Sequence, residues 1–448
     1  MGRLKTIFWP VAALLSPLPA LLLYFRGDFS HLNDPFSLGM LFGLSAYTYF
    51  LVTLLISSRI RFLDRLYGHD RVMHFHSLLA LGALILGIVH RQLKVLIFPY
   101  MDLQVFLGFL PLLLILIVFL VTLTVMVPGV LHRIGFMNRF RLFVNRRLKL
   151  DYSLLKTVHN SLVLALLLLS FHVLLASSTG ETWTRLIYMG ALASFTLYSW
   201  IRHKLIRPRR NRKAGLVLED IRDLGGHVTE LVIRGSGEGS LPSWKAGQFA
   251  YFRFPGSVVK GEEHPFTISS APVEGHVAVA VKNLGDYTSL VPGLETGQTV
   301  VLDGPYGHFG YSRGGRSLFI AGGIGITPFL SILKDLASRK STDEITLLWA
   351  VRNQEDLVFD DLLQSMSSRL PGFRYLPLLS GETFSPEEKH WRGGRINRDL
   401  LDELTGSGQK KQQIYFCGPP GLRRKVFKDL KSLGIRTSSV RYEKFSLG

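Results

Sequence analysis

Residues 76–90 read HSLLALGALILGIVH and residues 159–172 read HNSLVLALLLLSFH, two apolar runs each closed at both ends by histidine. His76 and His90 are fourteen residues apart, about 20 Å along a helix, and fourteen steps of about 100° return to nearly the same face. His159 and His172 are thirteen apart, about 140° out of line on an ideal helix, so that helix must twist, bulge or approach its partner obliquely. Neutral imidazole is a common metal ligand, and two imidazoles from facing helices can fill both axial positions of a haem iron. A lone histidine in such a run would equally serve as hydrogen-bonding glue between helices, but two pairs matched in depth favour ligation. Zinc is disfavoured, because ligands some 20 Å apart along one helix cannot share bonds of about 2 Å. His74 rivals His76, but its separation of sixteen from His90 fits one face less well.

The elements that hold these rings belong in lipid. The chain has 448 residues, 47% of them hydrophobic, with apolar residues concentrated in the first 200. Stretches 4–25, 36–58, 72–97, 103–127, 153–176 and 183–202 each approach the ~20 residues needed to cross a bilayer. The first opens like a signal sequence, but Pro10, Pro17, Pro19 and the later spans favour a retained helix. Arg59, Arg61, Arg65 and Arg71, then Arg133, Arg139, Arg141, Arg146, Arg147 and Lys149, then RHKLIRPRRNRK at 202–213 mark alternate loops as basic. The intervening loops hold Arg26, then Arg91 and Lys94, then neither Lys nor Arg in SSTGET at 177–182. By the positive-inside rule both termini and the soluble half are cytoplasmic in a multi-pass inner (plasma) membrane protein. The net charge of +19 therefore reflects these loops and contact with anionic headgroups; no nucleic-acid partner is expected. Cys417 is the single cysteine, so no intramolecular disulfide or cysteine metal cage forms.

From about 214 short alternating strands such as FAYFRF (249–254) and HVAVAVK (276–282) suit a small antiparallel β-barrel. From about 316 strands alternate with helices, as a parallel α/β sheet requires. The expected domains are 1–205, 214–312 and 313–448. In HPFTISS (264–270) a ring, the amides of Ile268 and Ser269, and the hydroxyls of Thr267 and Ser269 are available to a ligand. In VKNLGDYT (281–288) Lys282 can meet a phosphate and Gly285 can let the backbone approach it, although a plain glycine turn reads equally well. In SLFIAGGIGITPFLSILKDL (317–336) a strand enters Gly322, Gly323 and Gly325, with Thr327 as N-cap and Pro328 in the first helical turn. Such a helix N-terminus suits a pyrophosphate, although Pro328 replaces the last glycine of a standard dinucleotide fingerprint. Arg352 follows a strand where its fork-shaped charge suits an adenosine 2′-phosphate.

Taken together, the chain resembles the ferric reductase-like transmembrane superfamily, which includes the NADPH oxidases. The fold this implies is a six-helix transmembrane bundle followed by a cytosolic ferredoxin-reductase-like module, with an antiparallel β-barrel FAD domain and an α/β nicotinamide domain. The resemblance implies an inner b-type haem on His76 and His159, and an outer one on His90 and His172. It implies FAD contacts from His264, Pro265, Phe266 and Thr267, with Lys282, Gly285 and Thr288 lining the same site. The AGGIGITP segment is similar to the family's nicotinamide loop, and Cys417, Gly418 and Pro419 to the C-G-P element beside the nicotinamide. A C-terminal aromatic stacks on the flavin in such proteins; Phe445 is the candidate, with Tyr442 the alternative. The implied activity is electron transfer from NADPH through FAD and two b-type haems to an external acceptor. O2 giving superoxide is the leading acceptor, with a ferric chelate or a periplasmic redox partner as alternatives. Arg91, beside His90, would pair with a haem propionate, snorkel to the interface or attract an anion. No EF-hand signature is present, and no obligatory protein partner is expected.

Overall fold

The computed structural model describes residues 2–126, 152–236, 241–259, 261–312, 314–381, 391–406 and 412–443. The chain divides into two compact units, Met1–Arg207 and Pro208–Leu447.

Among the described residues of the first unit, five helical stretches are long and apolar enough to cross a membrane: Phe8–Phe25, Pro35–Ser57, Arg71–Ile97, Leu103–Thr122 and Leu155–Leu175. The sixth expected span is a helix, Trp183–Ile201, but its sequence is less apolar and it carries the buried Arg185. The first span is broken into helices Gly2–Leu14 and Leu18–Phe25, with Pro17 at the break, while Pro10 is accommodated inside the first. Asp34 caps the second span by accepting from the amides of Phe36 and Ser37, with Pro35 in the first turn where its missing N–H costs nothing. Polar ties cross the bundle. Tyr47 donates to Ser170 at 3.0 Å in a buried position. The Arg185 guanidinium donates to the carbonyls of Leu23, Ser178 and Tyr24, holding the start of the last helix to the end of the first span. Ile85, Leu164, Ile187 and Phe195 project more than half exposed. Such an apolar exterior suits hydrocarbon rather than water. The basic stretch 202–213 contains a π-turn, Arg202–Ile206, running into helix Arg207–Arg212.

The second unit contains two sheets. The first has strands β1 (Leu216–Asp223), β2 (Val228–Gly235), β3 (Phe249–Arg253), β4 (His264–Thr267), β5 (Val277–Lys282) and β6 (Thr299–Tyr306) in the order β4-β3-β6-β1-β2-β5. All the neighbours are antiparallel. The antiparallel barrel expected here takes the form of a curled half-barrel with β4 and β5 as its edges. Just past β4 the edges are stitched where Ser269 N–H donates to Ala278 O (2.8 Å) and Ala278 N–H donates to Ser270 Oγ (2.9 Å). Leu218, Leu231, Ile233, Phe252, Phe254 and Val279 fill its interior.

The second sheet is parallel throughout, with β7 (Arg316–Gly322), β8 (Glu344–Val351), β9 (Phe373–Leu379), β10 (Arg392–Gly393), β11 (Gln413–Cys417) and β12 (Arg441–Glu443). Its order, β10-β9-β8-β7-β11-β12, reverses direction between β7 and β11. A crevice opens at the carboxyl ends of strands at such a switch point, where open α/β sheets bind their ligands. Gly322 and Cys417 end these two strands.

Candidate functional site

The four histidines of the helical unit meet in the expected pairs. The ring centres of His76 and His159 are 6.3 Å apart, and those of His90 and His172 are 6.4 Å apart. With a metal–nitrogen bond of about 2 Å and roughly 1.1 Å from ring centre to nitrogen, two rings approaching one ion from opposite sides would place their centres about 6.2 Å apart. Both separations fit one ion per pair. Nδ1 of His76 lies 3.0 Å from Thr53 O, that of His90 2.7 Å from Gly39 O, and that of His172 2.7 Å from Gln104 O. A carbonyl only accepts, so each of these Nδ1 atoms carries the hydrogen and leaves the Nε2 lone pair for a metal. Nδ1 of His159 is buried without such a partner.

Sequence reasoning missed the two glycines behind the outer pair. A Cβ at Gly43 would lie 2.5 Å from Nδ1 of His90, and one at Gly108 would lie 2.8 Å from Nδ1 of His172. Each ring rests on bare backbone of a neighbouring helix. The thirteen-residue offset is absorbed without interruption of helix Tyr152–Leu175. His74 is exposed and His76 is the residue that faces His159. Arg91 stacks over Phe109 at 4.5 Å, and its Nε is buried with no hydrogen-bond partner.

In the half-barrel, β4 brings His264, Pro265, Phe266 and Thr267 to one sheet edge. His264 stacks on Tyr287 with ring centres 3.6 Å apart, and its Nε2 lies 3.1 Å from Oε2 of Glu262. Burial pushes the Tyr287 phenol far up, and the charge of Glu262 adds to this. The hydroxyls of Thr267 and Ser269 are buried with no hydrogen-bond partner, as groups reserved for a ligand would be. Three of the expected groups already have partners within the chain. The amides of Ile268 and Ser269 are already donated, to Gln248 O and Ala278 O, because they continue the sheet. The ammonium of Lys282 is 2.5 Å from Asp356 Oδ1, so the charge expected at a phosphate is engaged by a carboxylate of the second sheet's domain. Thr288 Oγ1 accepts from the amides of Leu284 and Gly285, closing its own turn. Gly285 itself is extended, and no atom stands where a Cβ would be.

At the switch point the glycine loop and the loop after β11 pack backbone to backbone. A Cβ on Gly325 would overlap the carbonyl of Cys417, and one on Gly322 would lie 2.5 Å from Leu422 Cδ2 and 3.0 Å from Pro419 Cδ. A Cβ on Gly418 would lie 3.1 Å from the Gly322 backbone. Gly323, at φ +55°, is the loop glycine with open space beside it. Its carbonyl accepts from the indole N–H of Trp349 at 2.8 Å, a buried brace that sequence reasoning missed. One detail differs from expectation. Thr327 is the first helical residue rather than the N-cap, because a 3₁₀ turn Gly323–Ile326 leads into helix Thr327–Ser338, with Pro328 next. Cys417 is fully buried, and its thiol is pushed well up by burial and then by Glu443. Glu443, also missed, lies opposite Cys417 in the β11–β12 ladder and turns Oε1 toward Gly307. Arg352 stands exposed just past β8. Tyr442 packs edge-on to Phe427 under Arg423, a core contact, while Phe445 lies outside the described residues.

Two protein families match this half of the chain: an FAD-binding domain over residues 227–309 and an oxidoreductase NAD-binding domain over 319–428. The electron transfer component of toluate 1,2-dioxygenase from Pseudomonas putida is 27% identical over 51% of this chain and 66% of its own. The reductase component of phenol 2-monooxygenase from Pseudomonas sp. is 33% identical over 40% of this chain and 50% of its own. The chain thus spans about half to two thirds of these relatives. Among solved structures, the cytochrome P450 reductase GcoB of Amycolatopsis is 24% identical over 52% of this chain and 70% of its own, with a TM-score of 0.46. The second unit thus carries an FAD-binding domain and an oxidoreductase NAD-binding domain.

Proposed function

We propose that this protein carries electrons from cytosolic NADPH across the inner (plasma) membrane to an acceptor at the outer face, with O2 giving superoxide as the principal reaction. The observation that supports this most is the pair of facing histidine couples at 6.3 and 6.4 Å on helices that also make up the apolar exterior of the same unit. In this reading His76 and His159 hold the inner b-type haem, and His90 and His172 the outer one. His264, Pro265, Phe266 and Thr267 line the FAD site, with the unpartnered hydroxyls of Thr267 and Ser269 as its hydrogen-bonding groups. FAD when bound accepts a hydride and releases single electrons, and the haems carry one electron each.

The protein's own residues bind and orient. Trp349 fixes the Gly323 turn beside which the dinucleotide's phosphates rest at the start of helix Thr327–Ser338. Arg352 receives the 2′-phosphate of NADPH. Gly43 and Gly108 give the outer imidazoles their seats. The buried backbone bonds from Nδ1 keep three of the four rings in the tautomer that ligates.

The test uses purified full-length protein with added FAD, following NADPH consumption together with cytochrome c reduction with and without superoxide dismutase. A dismutase-sensitive signal matching the NADPH consumed supports the oxidase. Turnover only with a ferric chelate makes the protein a ferric reductase. The relatives named as electron transfer and reductase components favour a second reading, delivery to a partner protein. That reading is supported if bound haem is reduced yet neither acceptor turns over.

A further inference from the structure

Resting on the NADPH reading above, we propose that Asp356 is a positioning residue for the 2′-phosphate, tying the turn that carries Arg352 to the flavin domain through Lys282. Arg352 follows β8 directly and opens onto the short turn Gln354–Asp356. One carboxylate oxygen of Asp356 accepts from the Asn353 amide at 3.3 Å, within that turn, and the other meets the Lys282 ammonium at 2.5 Å. Lys282 closes β5 of the half-barrel, so the pair joins two domains. Its side chains are 21% and 17% exposed, which limits screening by water and salt. The same turn is met by Gly226 between β1 and β2, where a Cβ would lie 2.5 Å from Glu355 O. On its other side the Gly381 amide donates to Arg352 O at 2.8 Å. The backbone under Arg352 is thus fastened both to its own sheet and to the flavin domain.

The consequence is selective. A guanidinium binds a phosphate as a planar fork, so its bonds depend on direction as well as charge. Loss of the Asp356 anchor leaves the Gly381 bond and the β8 strand in place, so the turn shifts without unfolding. A nucleotide lacking the 2′-phosphate makes no use of the Arg352 fork and is insensitive to that shift.

The experiment measures binding of 2′,5′-ADP and 5′-AMP by calorimetry to full-length, FAD-loaded protein in nanodiscs. Asp356→Asn is expected to weaken 2′,5′-ADP by about fivefold while changing 5′-AMP by less than about twofold. Asp356→Glu, which keeps the charge, recovers most of the loss. If Arg352→Ala weakens 2′,5′-ADP but Asp356→Asn weakens both ligands equally or neither, the positioning role is overturned and the NADPH reading stands. If Arg352→Ala leaves 2′,5′-ADP binding intact, both fall.

Discussion

His90 and His172 face each other with ring centres 6.4 Å apart, each anchored through Nδ1 to the backbone of a different neighbouring helix, at Gly39 and Gln104. Neither anchor is a side chain, so the orientation of both rings is set by helix packing. Replacing His90 or His172 with alanine is expected to remove one haem of two, and replacing His76 or His159 the other. His74→Ala retains both. Pyridine haemochrome quantitation per polypeptide reads the outcome, and full loading of the His90→Ala variant would remove the outer site.

Gly43→Ala and Gly108→Ala test the same centre without touching a ligand. The new methyl group falls 2.5 Å or 2.8 Å from an imidazole nitrogen, so the ring must move. Overpacking of this kind costs about 1–3 kcal/mol. We expect selective loss or spectral change of the outer haem. The ring planes stand 64° apart in the inner pair and 74° in the outer. Ligand planes so far from parallel give a strongly anisotropic low-spin ferric EPR signal, which a displaced ring would alter.

Trp349→Phe removes the indole N–H that the Gly323 carbonyl accepts. A buried acceptor left unsatisfied costs about 1–3 kcal/mol. The KM for NADPH should rise several-fold, and thermal unfolding of the nicotinamide domain should begin earlier. An unchanged KM would mean that the Gly323 turn does not bear on nucleotide binding.

Cys417 is buried, and its thiol is pushed well above the ordinary range by burial and by Glu443. Alkylation by N-ethylmaleimide is therefore expected to be slow in the native protein and rapid once it is unfolded. Fast labelling that blocks turnover would place the thiol at the reacting face.

Burial pushes the Asp356 carboxyl up, but hydrogen bonds from Lys282 and the Asn353 amide outweigh it, and the group titrates below its ordinary value. Its contribution is complete above the unfolded carboxyl's range and is lost as pH falls through the folded value. The preference for 2′,5′-ADP over 5′-AMP should then be insensitive to Asp356 titration from neutral pH down to about pH 5. A loss of preference in that window that is absent from Asp356→Asn would contradict the assignment.

The histidine pairing was legible because two registers, fourteen and thirteen residues, could be matched by depth alone. The parallel sheet and its loops were legible from strand–glycine–helix alternation. What sequence could not show was how neighbouring backbones compete for the same groups. Ile268 and Ser269 donate their amides to the sheet, Thr288 closes its own turn, and Lys282 finds a carboxylate 74 residues away. Gly322 and Gly325 also admit the close approach of the Cys417–Pro419 segment, a packing demand that local spacing did not reveal. Such approaches arise between segments distant in the chain, which local spacing does not encode. The curl of the half-barrel was hidden for a similar reason, since its edges are drawn together by the few bonds beyond β4 rather than by strand alternation.

The most direct test of the account is anaerobic mixing of NADPH with FAD-loaded, full-length protein while the haem absorbance is followed. The account predicts that both haems become reduced in the wild type, that only the inner one does in His90→Ala, and that neither does without FAD. Protein that binds no haem, or haem that stays oxidised while NADPH is consumed, would contradict it.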